Sequence, residues 1–285
     1  MKTRYIILTV LAATVVFIAL ASLLLTTLPT LTQSAHVAVI PVTGIITIDS
    51  PTGLLATQTA SSTQITRWIE QASEDSSVQA ILLEINSPGG SAVASDEITR
   101  AVQAVDNKPV VAWIREAGAS GAYWIASEAD HIIANRMSIT GSVGVVASYL
   151  SFDEFIQDYN ITYQEVSAGE DKELGNPFTE LDERQEGLLQ EKIDLIHAFF
   201  LDDVAENRNL TAEQKEAVGS GIFYLGAEAI ELGLVDELGT RQEVQAYLEE
   251  LLEAEPRYTR YQRQQGLFDI FSVQLPTTGW QIQAR

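Results

Sequence analysis

The 285-residue chain carries 39 acidic and 17 basic residues, a formal net charge of −22, and no cysteine. The acidic surplus argues against non-specific binding to nucleic-acid phosphates, and the missing thiols exclude disulfides, cysteine zinc sites and thiol nucleophiles. The three histidines, His36, His131 and His197, form no cluster that suggests a His-rich metal site.

In chain order, Lys2 and Arg4 come first, followed by 21 almost wholly apolar residues, Tyr5 to Leu25. That run can cross a hydrocarbon core of about 30 Å at about 1.5 Å per residue. Positive charge on the short side predicts a single-pass, N-in helix in contact with membrane lipid, with the rest of the chain on the extracytoplasmic side. A cleaved secretory signal is the alternative, since Ala19-Leu20-Ala21 offers a small-x-small site, but the apolar run exceeds the usual length of about 7–15 residues. The expected organisation is an anchor over 1–30, one domain over 31–255 and a C-terminal tail over 256–285.

From His36 onward, β-branched runs alternate with amphipathic segments, which predicts stacked βα units around a largely parallel sheet. The expected elements begin with a strand run at Val37–Ile48, a helix near Ser62–Ser73, a strand at Val78–Ile85 and a helix at Ala92–Val105. A strand at Val110–Ile114, a helix at Ser120–Glu128 and a strand at His131–Asn135 follow. After the run Val143–Ala147, residues 151–159 read as a helix, 161–166 as a strand, and Ser167–Thr179 as a polar loop broken by Gly169, Gly175 and Pro177. A long amphipathic helix spans Glu180–Asn207, its stripe of Leu188, Leu189, Ile193, Ile196, Phe199 and Phe200 suited to core or subunit packing. Helices near Ala212–Gly219 and Arg241–Glu253 complete the domain, and Arg257–Gln265 reads as an edge strand or a tail pairing with the acidic body.

Two glycine-rich turns carry the chemistry. Ile85–Ser91, INSPGGS, ends a buried strand, and its Gly89-Gly90 pair frees backbone N–H groups to point at an oxygen. Gly118–Trp124, GASGAYW, places Ser120 at a helix N-terminus, where a developing anion is favoured. With Ser120 as nucleophile, the amides of Gly90 and Gly121 would form an oxyanion hole. The plainer alternatives are a helix-capping serine and an ordinary turn.

A serine nucleophile needs a base, and none of the three histidines is an obvious partner. Of five lysines, only Lys172 occupies an irregular loop after a strand, within GEDKELGNPF. To act as base it must be neutral, against a reference ammonium value of about 10.4, while Glu170, Asp171 and Glu173 favour the charged form if they lie close. Ser142, in ITGSVGV, is either a turn residue or a hydroxyl that orients the lysine amine.

These segments, INSPGG, ASGAYW with ADHIIAN, TGSVGV, GEDKELGNPF and LGAEAIELGLVDELG, resemble in order and spacing the SppA-type signal peptide peptidases. The resemblance covers about residues 36–250 and implies an α/β, ClpP/crotonase-like fold in its short, single-repeat form, behind an N-terminal transmembrane helix. It implies Ser120 as nucleophile, Lys172 as base, Gly90 as an oxyanion glycine and Ser142 as the serine that contacts the lysine. Two positions depart from the family pattern: Ala122 replaces a glycine, and Glu170 replaces a basic residue. The implied activity is cleavage of remnant signal peptides and other hydrophobic peptides by a homo-oligomer whose Ser and Lys come from adjacent subunits, without metal or organic cofactor. A same-fold protease directed at one membrane protein, of the stomatin-partner type, a crotonase-type acyl-CoA enzyme and a catalytically silent peptide-binding scaffold are the competing readings.

Overall fold

Three apolar runs with strand periodicity build the centre of the sheet, and helices on both faces bury their alternate side chains. The computed structural model describes residues 34–50 and 59–262, together with Thr14. Apart from Thr14, the expected anchor lies outside the described residues, as does the chain beyond 262. Among the described residues, no helix is long and apolar enough to cross a membrane.

The elements begin with β1 (Ser34–Thr43), β2 (Ile45–Thr47), β3 (Thr59–Ser61), α1 (Ser62–Glu74), β4 (Val78–Ser87) and α2 (Ala92–Gln103). They continue with β5 (Val110–Ala119), α3 (Gly121–Ser127), β6 (His131–Ala134), β7 (Ile139–Gly141), α4 (Asp153–Asp158) and α5 (Glu183–Asn207). The remainder is α6 (Ala212–Val218), β8 (Phe223–Leu225), α7 (Gly226–Ala229), β9 (Glu237–Leu238), α8 (Arg241–Leu252) and β10 (Glu255–Arg260). The main sheet runs β10-β1-β4-β5-β6-β9, with β7 on β5 and β8 on β7; every pair in it is parallel except β7 with β8.

Burial follows the strand period. Ile40, Leu83, Ile85 and Ile114 point to one face and pack against α1, α2, α3 and the end of α5. Val37, Val39, Leu82 and Val111 point to the other, under Val244 and Leu248 of α8. Burial on both faces is why the central strands read as near-continuous apolar runs. Tyr123, fully buried on α3, ties this core to the C-terminal segment by donating its hydroxyl to the Leu234 carbonyl at 2.7 Å.

Two expectations are corrected. The run 37–48 splits at Gly44, whose φ of 83° ends β1 and lets β2 leave the main sheet to pair with β3. Residues 161–166 form no strand: all of 161–170 is exposed, and no strand among the described residues pairs with them. Of the stripe on α5 read as core or subunit packing, Phe200 is buried and Phe199 is more than half exposed. The edge strand read at 257–265 is β10, which pairs in parallel with the first half of β1 at the border of the sheet.

Tyr123→Phe leaves the buried Leu234 carbonyl without its donor. It is expected to lower unfolding free energy by roughly 1–3 kcal/mol, read as a lower denaturation midpoint with an unchanged slope.

Candidate active site

The parallel register of β4 with β5 brings their carboxyl ends side by side, with Ser87 opposite Gly118. The Gly89-Gly90 turn leaves β4 there and Ser120 leaves β5. A Cβ added at Gly89 would stand 2.8 Å from the Ser120 Cβ, so the two turns are in backbone contact and a side chain at 89 would not fit. Gly90 forms a bridge with Ile46: the Ile46 N–H donates to the Gly89 carbonyl and the Ser91 N–H to the Ile46 carbonyl, each at 2.9 Å. In this parallel pattern the N–H of Gly90 itself points away from Ile46.

Ser120 precedes α3 but does not cap it. Its side chain makes no cap hydrogen bond, whereas Ser61, Ser91, Asp182, Thr211 and Thr240 all cap their helices. Its backbone sits at φ 54°, ψ −131°, a conformation costly for any residue with a Cβ and frequent at functional sites. The Ser120 N–H donates to the Gly141 carbonyl at 2.8 Å, and the Tyr123 and Trp124 N–H groups return to the Ser120 carbonyl. These three bonds fix the backbone while the hydroxyl makes no hydrogen bond to another described residue, so the capping alternative fails. Gly121 opens α3, where helical amides lack internal acceptors. The site a Cβ of Gly121 would occupy is 3.7 Å from the Gly90 nitrogen and only 2.1 Å from the Ser95 Oγ. Two glycine amides and an unpartnered hydroxyl thus share one corner.

Ser142 lies beside them, at φ 53° directly after Gly141. Its N–H donates to the Ile222 carbonyl at 3.0 Å and its hydroxyl to the Gly221 carbonyl at 3.3 Å, which leaves the hydroxyl oxygen able to accept. His197, no partner for Ser120, instead places its Nε2 3.1 Å from the Val143 carbonyl and steadies the same loop from α5. Neither Ser95 nor His197 was legible as a support from the sequence, because each acts through a chain segment distant along it.

Lys172 is placed differently. It lies on an exposed arm, residues 146–180, where Ile156 is the only buried residue. No hydrogen bond or ion pair joins Lys172 to Ser120, to Ser142 or to any other described side chain. The acids around it are turned to other partners. Arg184, in the first turn of α5, meets Asp171 at 2.5 Å and Glu170 at 3.4 Å, and its hydrogen bonds hold the Asp171 carboxyl below the usual range. Glu173 accepts from Tyr163 at 3.2 Å and from Asn176 at 2.8 Å. Nothing in the sequence marked Arg184 for this role, since Arg184 and Asp171 meet only when the loop folds onto the helix.

The Peptidase family S49 profile matches residues 103–255, more than half of the chain and the stretch that holds Ser120, Ser142 and Lys172. The chain belongs to peptidase family S49. A Methanocaldococcus jannaschii protein, MJ0651, is 33% identical over 206 residues, covering 71% of this chain and 66% of that one. Protease 4 of Haemophilus influenzae is 35% identical over 214 residues, 74% of this chain but 33% of its own length, and the chloroplastic serine protease SPPA of Arabidopsis thaliana is 29% identical over 178 residues, covering 62% and 26%. The chain thus matches between about a quarter and two thirds of the length of these relatives. A mutant of the 1510-N membrane-bound stomatin-specific protease in complex with a substrate peptide superposes with a TM-score of 0.54 at 15% identity, covering 83% of this chain and 95% of that one. At that identity the likeness shows the S49 fold alone.

Ser120→Gly should relieve the left-handed strain. The folded protein is expected to gain about 1 kcal/mol, the relief exceeding the added chain entropy, as measured by denaturant unfolding.

Proposed function

We propose that this S49 chain is a serine endopeptidase in which Ser120 attacks the peptide carbonyl and Lys172 is the general base. The observation that carries the reading is the uncapped Ser120 hydroxyl, held on a strained backbone beside the amides of Gly90 and Gly121. In the acylation step the neutral Lys172 amine takes the Ser120 proton as Oγ bonds to the carbonyl carbon. The oxygen of the tetrahedral intermediate accepts from the Gly90 and Gly121 amides, and the lysine ammonium gives its proton to the departing amine. Water, deprotonated by the same lysine, then releases the acyl product and restores Ser120. No metal or organic cofactor enters these steps. Ser142 is the proposed acceptor that orients the amine.

The exposure of Lys172 supports an intersubunit site, with the serine of one copy served by the lysine of another. The arm that carries it exposes Val146, Leu150, Phe155, Tyr159 and Val166, and the adjoining surface exposes Phe199, Ile222 and Phe223. An apolar surface on this scale favours association with a further copy of the chain. Burial there would also remove water from Lys172, favouring the neutral amine that catalysis requires. Signal-peptide remnants and other hydrophobic peptides are the proposed substrates. The apolar run at 5–25 is the proposed anchor, with its N-terminus in the cytoplasm and the S49 domain on the extracytoplasmic side.

Ser120→Ala and Lys172→Ala are each expected to abolish cleavage of a fluorogenic hydrophobic peptide without changing oligomer size. Co-assembly of the two inactive variants should regain part of the activity, because some interfaces then pair an intact serine with an intact lysine. Full activity in Lys172→Ala, or a properly assembled but inert wild type, would refute the dyad. Arg184→Ala releases Glu170 and Asp171 toward the lysine. It is expected to lower kcat/KM at neutral pH about threefold, with the deficit shrinking as pH rises, because the freed carboxylates favour the charged amine.

A further inference from the structure

Among the described residues, the face of the sheet away from α1–α3 is covered only in part. α8 packs Val244 and Leu248 against it, and beside the N-terminus of α8 the sheet floors an open cavity of about 600 Å3. That volume suits a small organic ligand. Val39 and Leu82 form an apolar floor, and Trp113 and Tyr258 add aromatic surface. None of Ser120, Ser142, Lys172, Gly90 and Gly121 lines it.

Its charge is opposite to that of the chain. Arg115, Arg241 and Arg260 line the cavity with one carboxylate, Glu84, a formal surplus of two positive charges in a chain of net −22. Glu84 lies nearly buried on β4 and holds two of the three guanidinium groups. Arg115 donates to its Oε1 at 2.7 Å and Arg260 donates to its Oε2. The Arg115 guanidinium also lies 4.9 Å from the centre of the Trp113 ring. A carboxylate removed from water for such pairs adds little net stability. Its effect is to fix two guanidinium planes, each of which keeps further N–H donors beyond the one given to Glu84.

Arg241 has no hydrogen-bond or ion-pair partner among the described residues. It occupies the first helical position of α8, where the positive end of the helix disfavours a cation. Two oriented guanidinium groups, one unneutralised cation and an apolar, aromatic-walled floor converge on one space. We propose that this cavity binds a small ligand that carries an oxyanion, carboxylate or phosphate, on an aromatic or apolar body. The proposal is independent of the reaction at Ser120.

The test is isothermal titration of the full chain in mild detergent, with detergent blanks subtracted, using phenylacetate, phenyl phosphate and 2-phenylethanol as probes. At least one anion is expected to bind, less tightly as salt is raised, and the neutral alcohol is not. The tighter of the two anions identifies the headgroup. Arg241→Ala and Arg241→Glu, changes at an exposed position, are expected to weaken anion binding about tenfold or more while the melting temperature stays put. Ser120→Ala should bind like the wild type. The proposal is overturned if the alcohol binds as tightly as the anions, if neither anion binds up to about 10 mM, or if the Arg241 variants bind unchanged.

Discussion

The contact on which the site depends is the approach of two backbone turns, Gly89-Gly90 after β4 and Ser120-Gly121 after β5. It exists because parallel strands in register end at the same edge of the sheet, so that chain segments thirty residues apart leave the core side by side. The spacing tolerates no Cβ at 89, 90 or 121: the obstacles are Ser120 itself, the Ile46 backbone and the buried Ser95 hydroxyl. Each glycine is therefore set by a different neighbour, and the two turns adjoin a serine hydroxyl that the helix does not use as a cap. The left-handed backbone of Ser120 is the visible strain of this arrangement, and the hydrogen bond to Gly141 is what holds it.

The two halves of the proposed dyad differ in how the described residues pack them. Ser120 stands against a core of fully buried side chains, with Tyr123 and Ile125 directly behind it on α3. Lys172 rides an arm that folds back on itself through small contacts, such as Phe152 and Tyr163 against Phe178, and is pinned at its tip by Arg184. The same physics accounts for both halves. Burial of the sheet fixes Ser120, the proposed nucleophile, while the apolar surface of the arm is left exposed by the described residues and gains by burial against a further surface. An intersubunit dyad would couple catalysis to assembly, so that the lysine is desolvated only where a serine faces it.

The charge at the cavity beside α8 departs from that of the chain. The body is strongly acidic, whereas the cavity beside α8 gathers three arginines around Glu84. β4 contributes to both: Glu84 faces the arginines, and three residues later Ser87 begins the approach to the glycine turn, its hydroxyl accepting from the Gly89 N–H at 3.1 Å.

Much of this was legible in the sequence. The alternation of apolar runs with helical periods gave the parallel α/β sheet, the helices on it and the order of the central elements, because strand and helix periods are local properties of the chain. The glycine pair, Ser120 and Lys172 stood out for the same kind of reason: they sit at irregular points between regular elements. Only the tertiary structure decided what those residues face. It separated Ser120 from helix capping through its backbone angles, and split β1 from β2 at Gly44. It turned Glu170 and Asp171 to Arg184 and put His197 on the Val143 carbonyl. It also left residues 161–166 without a strand partner among the described residues. Such facts depend on which distant segments come together, and a sequence read along its length contains the periods that form each element but not the neighbours that each element will meet.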